Sequence, residues 1–272
     1  MNYEKRRQNI VAALAAEGAL SYSDLAKRMG VAEITIRHDV EALAVSGEVI
    51  RVLGGAQRVH APPAFYETSL ANRLQTNTRA KQVIARRALE LIRPGMTLFI
   101  DGSTTCIELA RVLNREREKN TIVTPSALVA LELGCSRRHA VILLGGQFDP
   151  DSCCAVGLSA EESARSFHAD LAIISTKGFL PAEGTFESVP ANISIKRIAA
   201  GRSERVALLV DHAKFGVRAL CRALRPEEID VVVTDVSPSM EHRQSLKRSK
   251  IKVLVAGPGK KDGGSAGGPA GS

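Results

Sequence analysis

No stretch of the chain stays apolar for the roughly 18 residues that a membrane-spanning helix needs, so none is expected. The opening MNYEKRRQNIVAALAAEG breaks its apolar run at Glu17 and offers no convincing cleavage site, which argues against a signal peptide and predicts a cytoplasmic protein. There is no Cys-x-x-Cys pair among the five cysteines, Cys106, Cys135, Cys153, Cys154 and Cys221, and their odd number argues against a closed disulfide framework. Adjacent side chains diverge, so Cys153 and Cys154 make a poor chelating pair, and free thiols are the expectation. No cofactor or metal is expected, and no internal repeat is visible.

A concentrated positive charge is also missing where it would be most telling. The chain carries a net +8 over 272 residues, which permits nucleic-acid binding. Residues 1–60 hold eight basic and seven acidic groups, a net +1, so the remaining +7 lies downstream. Charge alone therefore does not locate a DNA-binding surface, and the case rests on pattern.

Two textures divide the sequence. Residues 1–59 read as short helices followed by a glycine-punctuated β-rich stretch, and residues 60–78, opening on Pro62-Pro63, read as a linker. Residues 79–256 alternate short apolar runs with helical segments. Strands are predicted at Thr97–Asp101, Thr121–Thr124, Val141–Leu144, Asp170–Ser175, Val206–Asp211, Asp230–Asp235 and Lys252–Ala256, and helices at Lys81–Ile92, Thr105–Asn114 and Ser194–Gly201. Runs such as LLVD and VVVTD lack polar alternation, as strands covered on both faces do, so the fold expected is an α/β domain with a mostly parallel, layered sheet. Residues 257–272 hold no large apolar anchor and are expected to be disordered.

In the first 59 residues, Ile10 and Leu14 share one helical face, and the helix stops near Gly18. Ser21 followed by Asp24 forms a capping signal for a second helix that buries Leu25 and Met29 and ends at Gly30. A third helix, Glu33–Ser46, must turn Ile36, Val40 and Leu43 inward. That leaves Ile34, Thr35, Arg37 and His38 on the outer part of its N-terminal end, the part with which a helix-turn-helix touches base edges. Two short strands around Gly54-Gly55 read as a hairpin wing that offers Arg51 and Arg58 to phosphates. Ser21, Ile34, Thr35, Arg37, His38, Arg51 and Arg58 are the candidate DNA contacts. A three-helix bundle that binds protein or merely dimerises stays open on helix spacing alone.

The ordered set resembles the DNA-binding domain of the DeoR family of bacterial sugar-metabolism regulators. Thr35-Ile36-Arg37-x-Asp39, the Leu43…Gly47 spacing and Arg51…Gly54-Gly55-Ala56 carry the resemblance. The chain has Ala32 where the family usually has serine and His38 where it usually has a second arginine. An altered operator preference is the expectation.

Thr97-Leu-Phe-Ile-Asp101-Gly-Ser-Thr-Thr-Cys106 is the strongest chemical signal downstream. A strand ends in Asp101, a hydroxyl-rich turn follows, and a helix begins near Thr105, whose N-terminus offers free N–H groups and partial positive charge to an anion. Gly102 permits close backbone approach, and Ser103, Thr104 and Thr105 add hydroxyls. An ordinary capped βα turn would look the same. Thr124-Pro125-Ser126, Gly145-Gly146, Lys177-Gly178 and Asp211-His-Ala-Lys214 also fall at strand ends, where open α/β sheets collect ligands. Asp101, Gly102, Ser103, Thr104, Thr105, Ser126, Lys177 and Lys214 are the candidate effector contacts.

This half resembles the DeoR-family effector domain through Lys81…Ile84-Ala85, Asp101-Gly-Ser-Thr-Thr105, Leu144-Gly-Gly146, Gly157, Phe167-x-x-Asp170 and Asp211-x-x-Lys214-Phe-Gly216. The resemblance implies a fold similar to ribose-5-phosphate isomerase and a phosphorylated sugar or polyol as effector, with Asp101, Ser103, Thr104, Thr105 and Lys214 touching it. Pro125 stands where the family commonly has asparagine, and Val189–Asn192 where it often has glutamate. The function expected is a repressor of a sugar or polyol operon, acting on double-stranded operator DNA as a homodimer or homotetramer, with no catalytic residues. An isomerase-like enzyme using Asp101, Lys214, Glu183 and Glu187 is the alternative, and a constitutive DNA-packaging protein is a third.

Overall fold

A computed structural model describes residues 3–46, 48–52, 54–58 and 70–257. The N-terminal unit contains α1 (Tyr3–Glu17), β1 (Ala19–Ser21), α2 (Tyr22–Met29), α3 (Glu33–Val45), β2 (Val49–Val52) and β3 (Gly55–Arg58). Ile10, Leu14, Leu25, Ile36, Val40 and Leu43 converge in one core, joined by Tyr22, Val49 and Ala56. Met29 is only half-buried at its margin. The Ser21 hydroxyl accepts from the Asp24 amide at 3.0 Å and donates to its carboxylate at 2.7 Å, so the capping signal operates.

The wing differs from the expected hairpin, because β1 adds a third strand in the antiparallel order β1-β3-β2. A two-stranded ribbon is marginal in water, and the extra strand ties it to the helices. Gly55 is required there, since a Cβ on it would lie 2.3 Å from the Leu20 carbonyl oxygen.

The C-terminal unit begins earlier than its sequence suggested. Within the expected linker 60–78, residues 70–75 form α4 (Leu70–Gln75) and Thr78 opens α5 (Thr78–Ala88). Leu74 packs against the sheet-covering core, and that apolar contact recruits the segment into the fold. Residues 60–69, the expected wing positions 47, 53 and 59, and the tail positions 258–272 lie outside the described residues.

The predicted strands appear, with ends within two residues of those expected, as β4 (Thr97–Ile100), β5 (Thr121–Thr124), β6 (Ala140–Leu143), β9 (Leu171–Ser175), β12 (Val206–Leu209), β14 (Val231–Thr234) and β15 (Lys252–Val255). They form one seven-stranded sheet, parallel throughout, in the order β15-β14-β12-β9-β4-β5-β6. Helix α6 (Thr104–Leu113) joins β4 to β5, and α7 (Ala127–Gly134) joins β5 to β6. The hairpin β7 (Gln147–Asp149) and β8 (Cys154–Val156) and helix α8 (Leu158–Arg165) then return the chain to β9. A small antiparallel sheet, β10 (Gly178–Leu180), β11 (Gly184–Glu187) and β13 (Cys221–Arg222), caps the strand ends, with α9 (Ala191–Gly201) and α10 (Met240–Arg248) completing the unit.

The continuous apolar runs have a direct cause. Successive strand residues point to opposite faces, and both faces are covered. Leu98, Ile100, Ile122, Ile173, Leu209 and Val233 pack under α5, α6 and α7. Phe99, Val123, Ile174, Leu208 and Val232 pack under α8, α9 and α10, against Ala160, Ile195, Ala199 and Leu246. Chain order runs outward in both directions from β4, so the loops after β4 and β9 diverge and leave a crevice between them.

Candidate functional site

At the N-terminal end of α3, Ile34, Arg37 and His38 are exposed and Thr35 is half-buried. Ile34 is 61% accessible, a large apolar side chain held in water at the tip of the helix. Arg37 reaches back to Glu33 at 2.8 Å, and its guanidinium lies 5.1 Å from the centre of the Tyr22 ring. Stacking on α2 thus orients the arginine on α3. On the wing, Arg51 pairs with Glu41 at 2.9 Å, and Arg58 donates to the Ala15 carbonyl at 3.2 Å. The Ser21 hydroxyl is occupied in capping α2. Asp39, read only as a motif letter, is buried and holds Arg6 of α1 through two contacts, one of them 3.1 Å, so it fixes the angle at which α3 is carried.

In the C-terminal unit, a cavity of about 500 Å³ opens where the strand-end loops diverge. Asp101, Gly102, Ser103, Thr104, Thr105, Lys177 and Lys214 all line it. Ser126 does not: it is fully buried, and its hydroxyl accepts from the Val129 amide at 3.3 Å as the cap of α7. Gly145 and Gly146 are also absent from the wall, Gly146 lying close against Ala160 instead.

The turn after β4 is held from below. Asp101 accepts from the Ser103 amide at 2.7 Å and from the Ser175 amide at 3.0 Å, bridging the two diverging loops. Ser103 caps α6 by accepting from the Cys106 amide, which aims the first turn of that helix at the cavity. Gly102 makes this possible, because a Cβ there would stand 2.1 Å from the Cys154 sulfur and 3.2 Å from the Ser126 Cβ.

Sequence reading missed much of the wall. Asn72, Arg73, Thr76 and Asn77 enter from the α4 segment and Lys196 from α9; Lys81 of α5 and Asn192 of α9, noted only in the resemblance, and Glu187 of β11, named only for the enzyme alternative, line it too. Lys81 and Lys196 carried a legible signal. Lys81 lies in the stripe Lys81, Ile84, Ala85, Ala88, and Lys196 between Ile193 and Ala199, so each is a cation on an otherwise apolar helix face.

Lys196 meets Glu187 in a short ion pair, Asp101 at 3.4 Å and the Ser175 carbonyl at 2.8 Å. Burial works against its charge, but Glu187 and Asp101 outweigh that and hold its pKa above the usual lysine value. Lys81 behaves oppositely: burial, then repulsion from Lys214, push its pKa down to about 8. The Cys154 thiol is pushed up to about 11 by burial and so stays protonated. Five cations (Arg73, Lys81, Lys177, Lys196, Lys214) and three acids (Asp101, Glu187, Asp211) line the wall, a net +2. A helix N-terminus, hydroxyls and an excess of cations, together with carboxylates in the same wall, suit a small anionic, hydroxylated molecule.

A wing-supported recognition helix joined in one chain to an α/β unit with a cationic strand-end cavity defines a two-part, DNA-binding transcriptional regulator. Residues 6–61 match the DeoR-like helix-turn-helix domain and residues 76–236 the DeoR C terminal sensor domain, and the chain belongs to the DeoR family. It is 30% identical over 252 residues to the HTH-type transcriptional regulator GolR of Listeria innocua, covering 93% of this chain and 98% of that one. It is 29% identical over 253 residues to the glycerol-3-phosphate regulon repressor of Escherichia coli, covering 93% and 99%. Among solved structures, ribose 5 phosphate isomerase A of Neisseria gonorrhoeae aligns at a TM-score of 0.39 and 16% identity over 51% of this chain and 53% of that one. Among the described residues no helix is long and apolar enough to cross a membrane.

Proposed function

We propose that this protein is a cytoplasmic repressor of a sugar or polyol catabolic operon, and that a phosphorylated sugar or polyol in the strand-end cavity controls it. The reader ends near Val59 and the sensor runs to Ala256. Ile34, Thr35, Arg37 and His38 read base edges, Arg51 and Arg58 contact phosphates, and Ser21 acts at the DNA backbone through the helix it caps. The effector's phosphate sits against Ser103, Thr104 and Thr105 with Lys177 and Lys214, and its hydroxyls face Asp101 and Gly102. A homodimer or homotetramer places two reading helices on half-sites about one DNA turn apart. The observation that carries the reading is the net +2 wall gathered around the N-terminus of α6. The relative named for the glycerol-3-phosphate regulon supports the ligand class.

DNase footprinting of the upstream region, with and without a panel of sugar and polyol phosphates, tests the proposal. The expected result is an operator footprint that one phosphorylated compound weakens while its unphosphorylated parent does not. An operator protected under no condition defeats it.

The alternative, an isomerase with a fused reader, draws on Asp101 and Glu187 sharing one cavity. An isomerase needs a carboxylate free to take a proton from carbon, and both of these grip Lys196. Turnover of pentose or hexose phosphates would reverse the preference.

A further inference from the structure

The reading domain holds little uncommitted positive charge. Arg6, Arg7, Arg28, Arg37 and Arg51 each face an acid within ion-pair distance. The excess lies downstream, and part of it gathers at one edge of the seven-stranded sheet. Beside β15 and α10 an open groove of about 440 Å³ is lined by Arg243, Lys247, Lys250 and Lys252 and, among the described residues, by no acid. All four cations are exposed. Among the described residues none of them has an ion-pair partner. Leu246 and Ile251, both buried, anchor the groove to the core beneath.

The backbone adds to the same surface. The amides of Lys252 and Ala256 donate to the carbonyls of Asp230 and Thr234 on the β14 side. Alternation therefore turns the amides of Val253 and Val255, which also line the groove, toward the open edge. Lys250 takes the left-handed conformation after α10, at φ 58°, while the Ile251 amide closes on the Leu246 carbonyl at 2.9 Å. Glycine adopts that conformation without steric cost, yet the chain keeps a lysine there. A lysine on an edge strand can serve only to block pairing with another chain. The opposite edge of this sheet has no such guard, since β6, Ala140–Leu143, carries no charge along its length.

We propose that this groove is a second DNA contact, with which the β15 edge of the sensor domain holds the phosphate backbone of duplex DNA outside the base pairs that α3 reads. Four unpaired cations and two outward amides match a polyanion whose phosphate oxygens accept from both kinds of donor. A contact of this kind adds affinity without sequence preference. Each cation that neutralises a phosphate also releases a counterion and steepens the salt dependence of binding. The proposal rests on the DNA-binding class of the protein and is independent of its effector.

The test uses the full chain and a random-sequence duplex of about 60 bp, several times the spacing of two half-sites. Lysine acetylation followed by mass spectrometry reads the contact directly. The duplex is expected to protect Lys247, Lys250 and Lys252 several-fold and to leave Lys119, exposed on the turn after α6, unchanged. Inorganic phosphate at the same phosphate concentration should protect none of them. Lys247→Gln, Lys250→Gln and Lys252→Gln combined should lower the slope of log affinity against log salt by about 2–3. Arg115→Gln, Arg117→Gln and Lys119→Gln combined remove the same charge from an exposed turn and should change the slope by less than about 0.5. Equal effects of the two triple variants reduce the groove to a share of the net charge and overturn the proposal. Protection by inorganic phosphate equal to that by the duplex also overturns it, in favour of a small-anion site. Either result leaves the repressor reading standing if the operator footprint persists, whereas a wild type that binds no duplex defeats both.

Discussion

Replacing Lys196 with methionine removes the cation that Asp101 and Glu187 share while nearly preserving side-chain length. Asp101 is 2% exposed and Glu187 6%, so water does not replace the lost partner. Breaking a buried ion pair by deleting one member costs about 3–5 kcal/mol, because an uncompensated charge is left behind. For a domain of this size each kcal/mol is worth roughly 2–4 °C, so the melting temperature should fall by about 6–20 °C. The sign of the pH dependence is diagnostic. In the wild type, Lys196 has a raised pKa, so its contribution is fully present below the ordinary lysine value and is lost as pH rises from there through the raised one, far above neutral. In Lys196→Met, two carboxylates face each other without a cation, and taking up a proton relieves them. The variant's deficit should therefore shrink as pH falls. Adding Glu187→Gln should recover part of it at neutral pH. Urea unfolding followed by circular dichroism between pH 5 and pH 8 measures all three proteins. A Lys196→Met protein within about 1 kcal/mol of wild type at pH 7.5, with the same pH slope, would refute the idea that this cluster is desolvated.

Gly102→Ala drives a methyl group into the Cys154 sulfur at 2.1 Å, so thermal unfolding should show a loss of about 1–3 kcal/mol, largely restored by adding Cys154→Ala. Phosphate-ester binding, followed by calorimetry, should weaken as pH rises through about 8, by up to about tenfold per unit, because Lys81 must be charged to attract the dianion; an affinity flat from pH 7 to pH 9.5 contradicts this. Arg51→Gln should lower the slope of log affinity for operator against log salt by about 0.9 and leave sequence preference intact. Arg37→Met should instead cost about 1–3 kcal/mol and relax preference at one base position. Gel-shift titrations on matched and single-substituted operators separate the two.

How much was legible follows from the range of each signal. The strands of the central sheet were readable because a strand covered on both faces must be apolar at every position, as VVVT at 231–234 and LAIIS at 171–175 are. The reading helix was readable because Ile36, Val40 and Leu43 can face only one core. The third wing strand was not, since Ala19–Ser21 carries no alternation and becomes a strand only by pairing with β3. Nor was Ser126's place beneath the cavity wall, because a strand-end serine can either cap the next helix or face a ligand.

The sequence by itself determined the strands of the central sheet, the three helices of the N-terminal unit, the Ser-Thr-Thr turn at the start of α6, and which side chains of α3 face away from its core. These are local, set by backbone period, capping and the need to bury one face. Only the tertiary structure decided that β9 lies beside β4, and with it everything that meets across their diverging ends. Lys196 is 95 residues from Asp101 in the chain and Lys81 is 133 from Lys214, and no local rule brings such pairs together. Their meeting follows from strand order, which is fixed by covering both faces of one sheet at once, a condition on the whole chain that no short window contains.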